Sequence, residues 1–574
     1  MKILGFSHEH DSGVAFLNEG EMTYSANEER FNRKKFTRKL PSEALEAGKI
    51  NFPNFFEKLD AVAVGSKIHV SQEVVDGTSL NILFKMLHWL RLDRFVFGTN
   101  FGASIMMAIL RLFDIRRRAG IKKLLKASGI RAPIYYIDHH LSHASSAYFT
   151  SPWDKCLVVT LDAQGDGSCS KVYIGESRTI REVHHMPFFH TPGYYYWCVT
   201  LLLGFKQGRE GKVTGLAVRG DYKKTLPIFE ERVSFDKKHC KFINHGFYKR
   251  EEYWYLKKRL AGFSREDIAA GIQKHLENLV TAYIKELIVR YNGWKPIPVA
   301  LAGGVFANVT LNKKIMEMPE VSGIYIYPHM GDGGLAAGAA MVLAAKHGDI
   351  KPKPLENLYL GPEYRPALRA PLLVKEGMSI RSSPPYQGGG WGRLSIEAAQ
   401  LLASGKTVAI CRERMEYGPR ALGNRSILHQ ATDPTVNDWL NKKLRREEFM
   451  PFAPILKKEY VGEYFKNWQK CEKALEFMTI ALDATEKCKK EAPAIVHIDG
   501  TARPQIVTSE INPFIYELLG EYEKLTGKRI LINTSFNMHE EPIVCTKEDA
   551  IRAFKDGNLD AMVLGDDIIE KNGK

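Results

Sequence analysis

The sequence predicts an α/β protein in two units, and three observations carry that expectation. A strand, an acidic turn and a second strand occur twice, about 150 residues apart, in MKILGFSHEHDSGVAFLNEGEMTYSANEE and KCLVVTLDAQGDGSCSKVYIGE. Two apolar strands, VALAGGVFANVTLNKKI and GIYIYPHMGDGGLAAGAAMVLAA, run into glycine turns and then into helical stretches. The texture breaks near residue 350, where KPKPLENLYLGPEYRPALRAPLL and RSSPPYQGGGWGRL are rich in proline and glycine, as segments between packed units are. The expected division is 1–352 and 353–574.

Composition excludes several classes. Hydrophobic residues make up 44% of the 574, enough for sizeable cores. The start, MKILGF, is cut short by SHEHD and lacks the apolar length of a secretory segment. The longest apolar run, FGASIMMAIL, meets Arg111 after ten residues, too few to span a bilayer. Eight cysteines without a CxxC argue against a disulfide framework or zinc ribbon. A soluble, cytoplasmic protein with no membrane partner is expected. The net charge of +15 suits anionic partners such as phosphates. Much of the local excess lies in RLFDIRRRAGIKKLLKAS, where beyond Phe113 no aromatic residue stands among the charges to stack on bases; a solvated helix face is expected there, and nucleic acid is not.

Taken in order, the first hairpin turn carries His10, Asp11, Ser12 and Gly13, and Asp162 ends the equivalent strand of the second. In two-lobed nucleotide-binding folds such turns face a phosphate or its metal from opposite sides, although two ordinary hairpins would read the same way. In IDHHLSHASSA, His139 and His143 fall on one face of a helix, with His140 about 100° away. Among 18 histidines such a pair is common, and alone it reads as an ordinary core or surface pair. Gly303 and Gly304 let backbone approach a ligand at a helix start, and Asp332 sits in the later GDGG turn. Past the boundary, GKTVAICRERMEYGPRALGNRSIL and GKRILINTSFN are strands followed by loops dense in Gly, Arg, Ser and Asn, which suit oxyanions or simple turns alike. The aromatic stretch 184–205, with His190, fits either an acceptor pocket or core packing.

HDSG with NEERFNRKKF, DHHLSHASSAYF, EGKVTGLA, GGVFANVTLN, GDGG, EYGPRALGNRSIL, EFMPFAPIL, HIDGTARPQIV and NTSFNMHEEPIV stand in one order from residue 10 to about 550. In this the sequence resembles the O-carbamoyltransferases that act on antibiotics and nodulation oligosaccharides. The resemblance implies an actin and sugar-kinase-like (ASKHA) N-terminal domain and a YrdC-like C-terminal domain. It implies that carbamoyl phosphate and ATP, with Mg2+, give carbamoyl-adenylate and pyrophosphate in the C-terminal domain. The carbamoyl group then passes, in the N-terminal domain, to a hydroxyl of a small natural product.

The same resemblance assigns residues. It implies iron on His139, His143 and Asp332; two imidazoles and a carboxylate suit Fe(II), and Zn or Mn fit the same set. His10, beside Asp11, is the expected base for the acceptor hydroxyl, with Lys35 as a further catalytic group. Asp162, Lys212, Gly303, Gly304 and Asn308 are expected at the nucleotide of the N-terminal site. Arg420, Arg503 and Ser535 match positions that contact nucleotide or carbamoyl phosphate. The family's lysine before its FRPFAP motif is missing from KKLRREEFMPFAP; Arg445 or Arg446 stands in, and Met450 replaces the usual arginine. Two other readings remain: a tRNA threonylcarbamoyladenosine-type enzyme, with salt-sensitive tRNA affinity, and a non-enzymatic actin-type ATP-binding chaperone, which leaves the arginine set unused.

Overall fold

The computed structural model describes residues 1–68, 86, 92, 98–246, 250–348, 350, 353–363, 378–382, 392–445 and 452–571. The chain divides into two units, Met1–Thr23 with Arg38–Leu355, and Tyr24–Thr37 with Glu356–Lys574.

The first unit is built on one sheet order used twice. Its first sheet holds β1 (Lys2–Ser7), β2 (Gly13–Asn18), β3 (Glu21–Asn27, of which the residues from Tyr24 on group with the second unit), β4 (Ala61–Val64) and β5 (Ile134–Tyr136), arranged β3-β2-β1-β4-β5. Its second holds β6 (Cys156–Gly165), β7 (Ser168–Glu176), β8 (Thr179–Pro187), β11 (Ile297–Ala302) and β12 (Val321–Ile326), arranged β8-β7-β6-β11-β12. A separate ribbon, β9 (Val233–Asp236) with β10 (Lys241–Asn244), lies between β8 and β11 in sequence. In both sheets the first strand pairs antiparallel with the second and parallel with the fourth. Their central strands are near-continuous apolar runs because both faces are covered. This is the two-lobed α/β class expected, and the duplicated hairpin is its sequence trace.

Each sheet's last strand leads to a helix, His139–Phe149 after β5 and Leu335–Lys346 after β12. The helices exchange sheets: Leu335–Lys346 packs on β1, β2 and β4, while His139–Phe149 packs on β6, β7 and β11. They also pack on each other, so closely that a Cβ on Gly338 would collide with the Ser142 carbonyl. The small-residue run LAAGAAMVLAA exists for this approach, since interiors tolerate neither overlap nor void.

The basic run forms the helix Ile115–Ala127, where Asp114 engages Arg117 at 2.5 Å and Arg118 at 2.7 Å. Part of that charge is therefore spent inside the fold. Among the described residues no helix is long and apolar enough to cross a membrane.

The second unit centres on an eight-stranded mixed sheet, β13-β22-β21-β14-β15-β20-β16-β19. The strands are β13 (Met378–Ser382), β14 (Val408–Cys411), β15 (Arg425–Gln430), β16 (Ala453–Lys457), β19 (Gln505–Val507), β20 (Leu531–Ser535), β21 (Ala561–Leu564) and β22 (Asp567–Lys571), with β17 (Leu482–Asp483) and β18 (Thr501–Ala502) as a small pair beside it. The helices Gly392–Ala403 and Pro513–Thr526 pack together over a core that includes Leu402, Val408, Leu428, Leu518 and Leu531. Pro513–Thr526 is well punctuated: Asn512 caps it, proline opens it, and Gly527 leaves it at φ 69°. Tyr24–Thr37 belongs here through Arg30, which donates to the Gly418 carbonyl at 2.6 Å, and Arg33, which donates to the carbonyls of Pro542 and Ile543 at 2.6 and 2.8 Å.

Candidate functional site

Two carboxylates start the helix His139–Phe149. Asp138 accepts from the Leu141 amide at 3.0 Å and Asp166 from the His139 amide at 2.7 Å, serving first-turn N–H groups with negative charge. The four-residue spacing then sets the rings of His139 and His143 side by side, centroids 4.8 Å apart. His139 Nε2 lies 3.7 Å and His143 Nε2 3.8 Å from Asp332 Oδ1, and His143 Nε2 lies 3.5 Å from Asp162 Oδ2. Ligand atoms from all four residues fall within 4.8 Å of one another.

Both imidazoles are buried, and none of their ring nitrogens has a hydrogen-bond partner among the described residues. Leaving such a group unsatisfied costs about 1–3 kcal/mol, so the set is shaped for a ligand. Two imidazoles with two carboxylates fit a divalent first-row metal. Burial disfavours charge on His143, but Asp162 and Asp332 overcome it and raise the imidazole to about 9. Burial likewise opposes ionisation of Asp162, yet His143 holds that carboxyl well below its ordinary range.

Asp162 is the member that sequence reading placed at a nucleotide instead. The strand β6 continues beyond it to Gly165, and the ladder shifts register between Leu161 and Gly165, which is how a bulge re-aims a side chain. Its carboxylate accepts from the amides of Ala163 at 2.7 Å and Gly304 at 3.0 Å. Gly303, at φ 107°, lies against the Leu161 carbonyl, and a Cβ on Gly165 would overlap the His139 ring. His140 has the opposite character. Its nitrogens meet Thr160 Oγ1 at 2.8 Å and the Ser168 carbonyl at 3.1 Å, and burial lowers it to about 3.

The first hairpin turn joins the same region. Ser7 donates to the Asp332 carbonyl at 3.4 Å, and Asp11, at φ 71°, sets Oδ2 3.4 Å from His329 Nε2. His10 is half-buried in that turn. His329, buried and three residues before Asp332, was not singled out by sequence, nor was Asp166, whose carboxylate also accepts from the Lys67 and Ile68 amides at 3.0 and 2.8 Å. Asn308 uses its oxygen to cap the helix Val309–Met316 and its amide nitrogen on Gln273 at 2.8 Å. Lys212 lies on the helix Glu210–Ala217 with Nζ 5.5 Å from the Phe205 ring. Lys35 groups with the second unit, its Nζ 5.8 Å from the Phe36 ring.

In the second unit the loop of EYGPRALGNR is moulded by Glu416, which accepts from the amides of Leu422, Asn424 and Arg425 at 2.7, 2.9 and 3.0 Å. Its two arginines then part company. Arg425 is fully buried and donates to the carbonyls of Arg412 and Asn424 at 2.7 and 2.9 Å, a structural role. Arg420 and Arg503, like Arg425, each have a buried Nε without a partner among the described residues, but neither donates to a carbonyl there as Arg425 does. Burial lowers Arg420 to about 10; burial and the Arg420 guanidinium hold Arg503 well below its ordinary value. Two cations held together with no carboxylate of the described residues between them form a ready anion site.

Ser535 ends β20 opposite Ser426. Arg445 follows the helix Val436–Lys443 at φ 56° and is exposed. Arg446 and Met450 lie outside the described residues.

Residues 2–341 match the family description Carbamoyltransferase N-terminus, and residues 399–571 match Carbamoyltransferase C-terminus. An uncharacterized protein of Methanocaldococcus jannaschii is 36% identical over 471 residues, covering 77% of this chain and 75% of that one. Nodulation protein NolNO of Sinorhizobium fredii is 28% identical, covering 98% of this chain and 79% of its own. The 3'-hydroxymethylcephem-O-carbamoyltransferase of Streptomyces clavuligerus is 24% identical, covering 99% and 98%. With both family regions matched, the N-terminal one over more than half of the chain, this protein belongs to the carbamoyltransferase family.

Proposed function

We propose that this chain is an ATP-dependent O-carbamoyltransferase that acts on a hydroxyl of a small natural product. In the second unit carbamoyl phosphate, ATP and one water give carbamoyl-adenylate, pyrophosphate and phosphate. Arg420 and Arg503 bind the phosphate groups and offset their mutual repulsion, with Ser535 completing the shell and Mg2+ accompanying ATP. Arg445 or Arg446 stands in for the family's lysine. In the first unit His10 takes the proton of the acceptor hydroxyl, the hydroxyl oxygen bonds to the carbamoyl carbon, and AMP leaves. Asp11 orients the turn that carries His10. Gly303 and Gly304 offer backbone to the nucleotide, with Asn308 and Lys212, and Lys35, which groups with the second unit, is a further cation for phosphate.

His139, His143, Asp162 and Asp332 would hold Fe(II), with Zn or Mn as fits of the same donor set. When bound, such an ion supplies positive charge against phosphate and carbonyl oxygens. The cytoplasm is the proposed compartment.

One observation carries the reading: two chemistries occur in two units. A buried histidine–carboxylate set lies in the region matched to the family's N-terminus, and an uncompensated arginine pair lies in the region matched to its C-terminus. The relative named for a cephem hydroxymethyl group supports a small-molecule hydroxyl as acceptor.

The test is incubation with labelled carbamoyl phosphate, ATP and a panel of hydroxylated natural products. Pyrophosphate release that needs carbamoyl phosphate, and a product heavier by one carbamoyl group, are expected. Pyrophosphate release indifferent to carbamoyl phosphate overturns the reading.

A further inference from the structure

His497 lies in the short turn before β18, within HIDGTARPQIV. Its amide donates to the Thr501 carbonyl at 2.8 Å, and Gly500 donates back to the His497 carbonyl at 2.9 Å, closing the turn. The Thr501 hydroxyl gives its proton to Asp499 Oδ1 at 2.7 Å and stands 3.5 Å from His497 Nδ1. With its one hydrogen committed to Asp499, that hydroxyl receives from Nδ1–H. The other nitrogen, Nε2, is buried and has no partner among the described residues. Two residues past Arg503, Gln505 donates to the Leu422 carbonyl at 2.8 Å, and Asn533 bridges the Ala421 carbonyl and Gln505 at 3.1 and 2.7 Å. These bonds fasten the turn of His497 and Arg503 to the loop tip bearing Arg420.

We propose that His497 is the third member of the arginine anion site, taking up a proton at Nε2 when a phosphate group binds and donating it to a phosphate oxygen. The proposal rests on the adenylating role given above to Arg420 and Arg503, and adds a residue and a proton to it. Among the described residues the charged groups around the imidazole are Asp499 on its own turn, Arg503 beyond β18, Arg420 through Arg503, and Lys489, whose Cε nears Gly500. Burial holds the imidazole at about 4, with Asp499 raising it and Arg503 lowering it. It is therefore neutral at pH 7. A bound phosphate screens Arg503 and places negative charge at Nε2, both of which favour the imidazolium. Protonation then supplies a charge-assisted donor where the neutral ring offers only a lone pair.

The experiment is calorimetric titration of the full chain with inorganic pyrophosphate at pH 7, in two buffers of different ionisation enthalpy. The wild type is expected to take up about one proton more per anion bound than His497→Asn, and to bind about tenfold more tightly. Equal proton uptake and equal affinity in the two proteins overturn the proposal. Thr501→Val, which removes the Nδ1 acceptor while leaving the imidazole in place, guards against misfolding of the first variant. Its proton uptake should fall while binding persists, and unchanged uptake counts against the proposal. Turnover is not needed for this readout. Normal proton uptake without carbamoyl phosphate-dependent pyrophosphate release would leave the His497 site standing and remove the adenylating role, and the reverse result would do the opposite.

Discussion

At the scale of single residues, the first unit turns on His143. It is wholly buried, faces two carboxylates and has no other use for its ring nitrogens among the described residues. Substituting His143→Ala should lower bound metal, measured by elemental analysis, and abolish carbamoyl transfer, with circular dichroism unchanged. Full metal occupancy in the His139→Ala/His143→Ala double variant would falsify the assignment. A pH dependence follows for the metal-free protein. The folded-state value, about 9, is raised above the ordinary 6.5, so the imidazolium's stabilisation is complete below pH 6.5 and is lost as pH rises through 9. The full effect is roughly 3 kcal/mol, and a bound metal should remove it because the ion displaces the proton. Denaturant unfolding of chelated and metal-loaded protein between pH 6 and 10 checks this; a metal-free profile as flat as that of His143→Ala would contradict it.

At the scale of elements, the contact between the helices His139–Phe149 and Leu335–Lys346 is a tight joint in the first unit's core. Gly338 meets the Ser142 backbone there, and backbone cannot step aside as a side-chain tip can. Gly338→Val should destabilise the protein by about 3 kcal/mol or more, read as a fall in the denaturation midpoint, and should weaken metal binding by moving the helix that carries both histidines. A stability loss under about 0.5 kcal/mol would show that the joint yields. The 28-residue helix Arg265–Asn292 offers a second test. Burial alone lowers His275 to about 4, and its Nε2 has no partner among the described residues. A folded-state value below the unfolded one means stability that is present above pH 6.5 and lost as pH falls through 4. His275→Phe, which retains the ring contact with Phe229, should flatten the acid limb of the stability profile by roughly 3 kcal/mol at most. An acid limb identical to the wild type would count against it.

At the scale of the whole molecule, the proposed reaction divides between units, and single variants should divide with it. Arg503→Ala should stop pyrophosphate release from carbamoyl phosphate and ATP, since losing one charge-assisted partner costs about 2–5 kcal/mol, yet should transfer the group from supplied carbamoyl-adenylate. His10→Ala should release pyrophosphate and fail to carbamoylate the acceptor. If both variants lose the same half-reaction, measured by pyrophosphate assay and by mass spectrometry of the acceptor, the division proposed here is wrong.

Local pattern alone determined much of this molecule. Apolar runs located β1, β6, β11 and β12, the repeated hairpin disclosed the doubled sheet, and the four-residue spacing put His139 and His143 on one face with His140 turned into the core. These follow from strand and helix periods, which neighbouring residues set without reference to distant ones. Tertiary structure decided the rest. Asp162 entered the histidine cluster because a register shift in β6 turned it there, and Tyr24–Thr37 joined the second unit through arginines that reach carbonyls hundreds of residues away. The GPRALGNR loop makes the contrast plainest: Arg420 and Arg425 are equivalent in composition and charge. One was left close to Arg503 and the other sealed inside the unit, because Glu416 gathers three backbone amides and bends the chain between them. Such outcomes depend on which distant groups a folded chain brings within hydrogen-bond reach, and no local period encodes that.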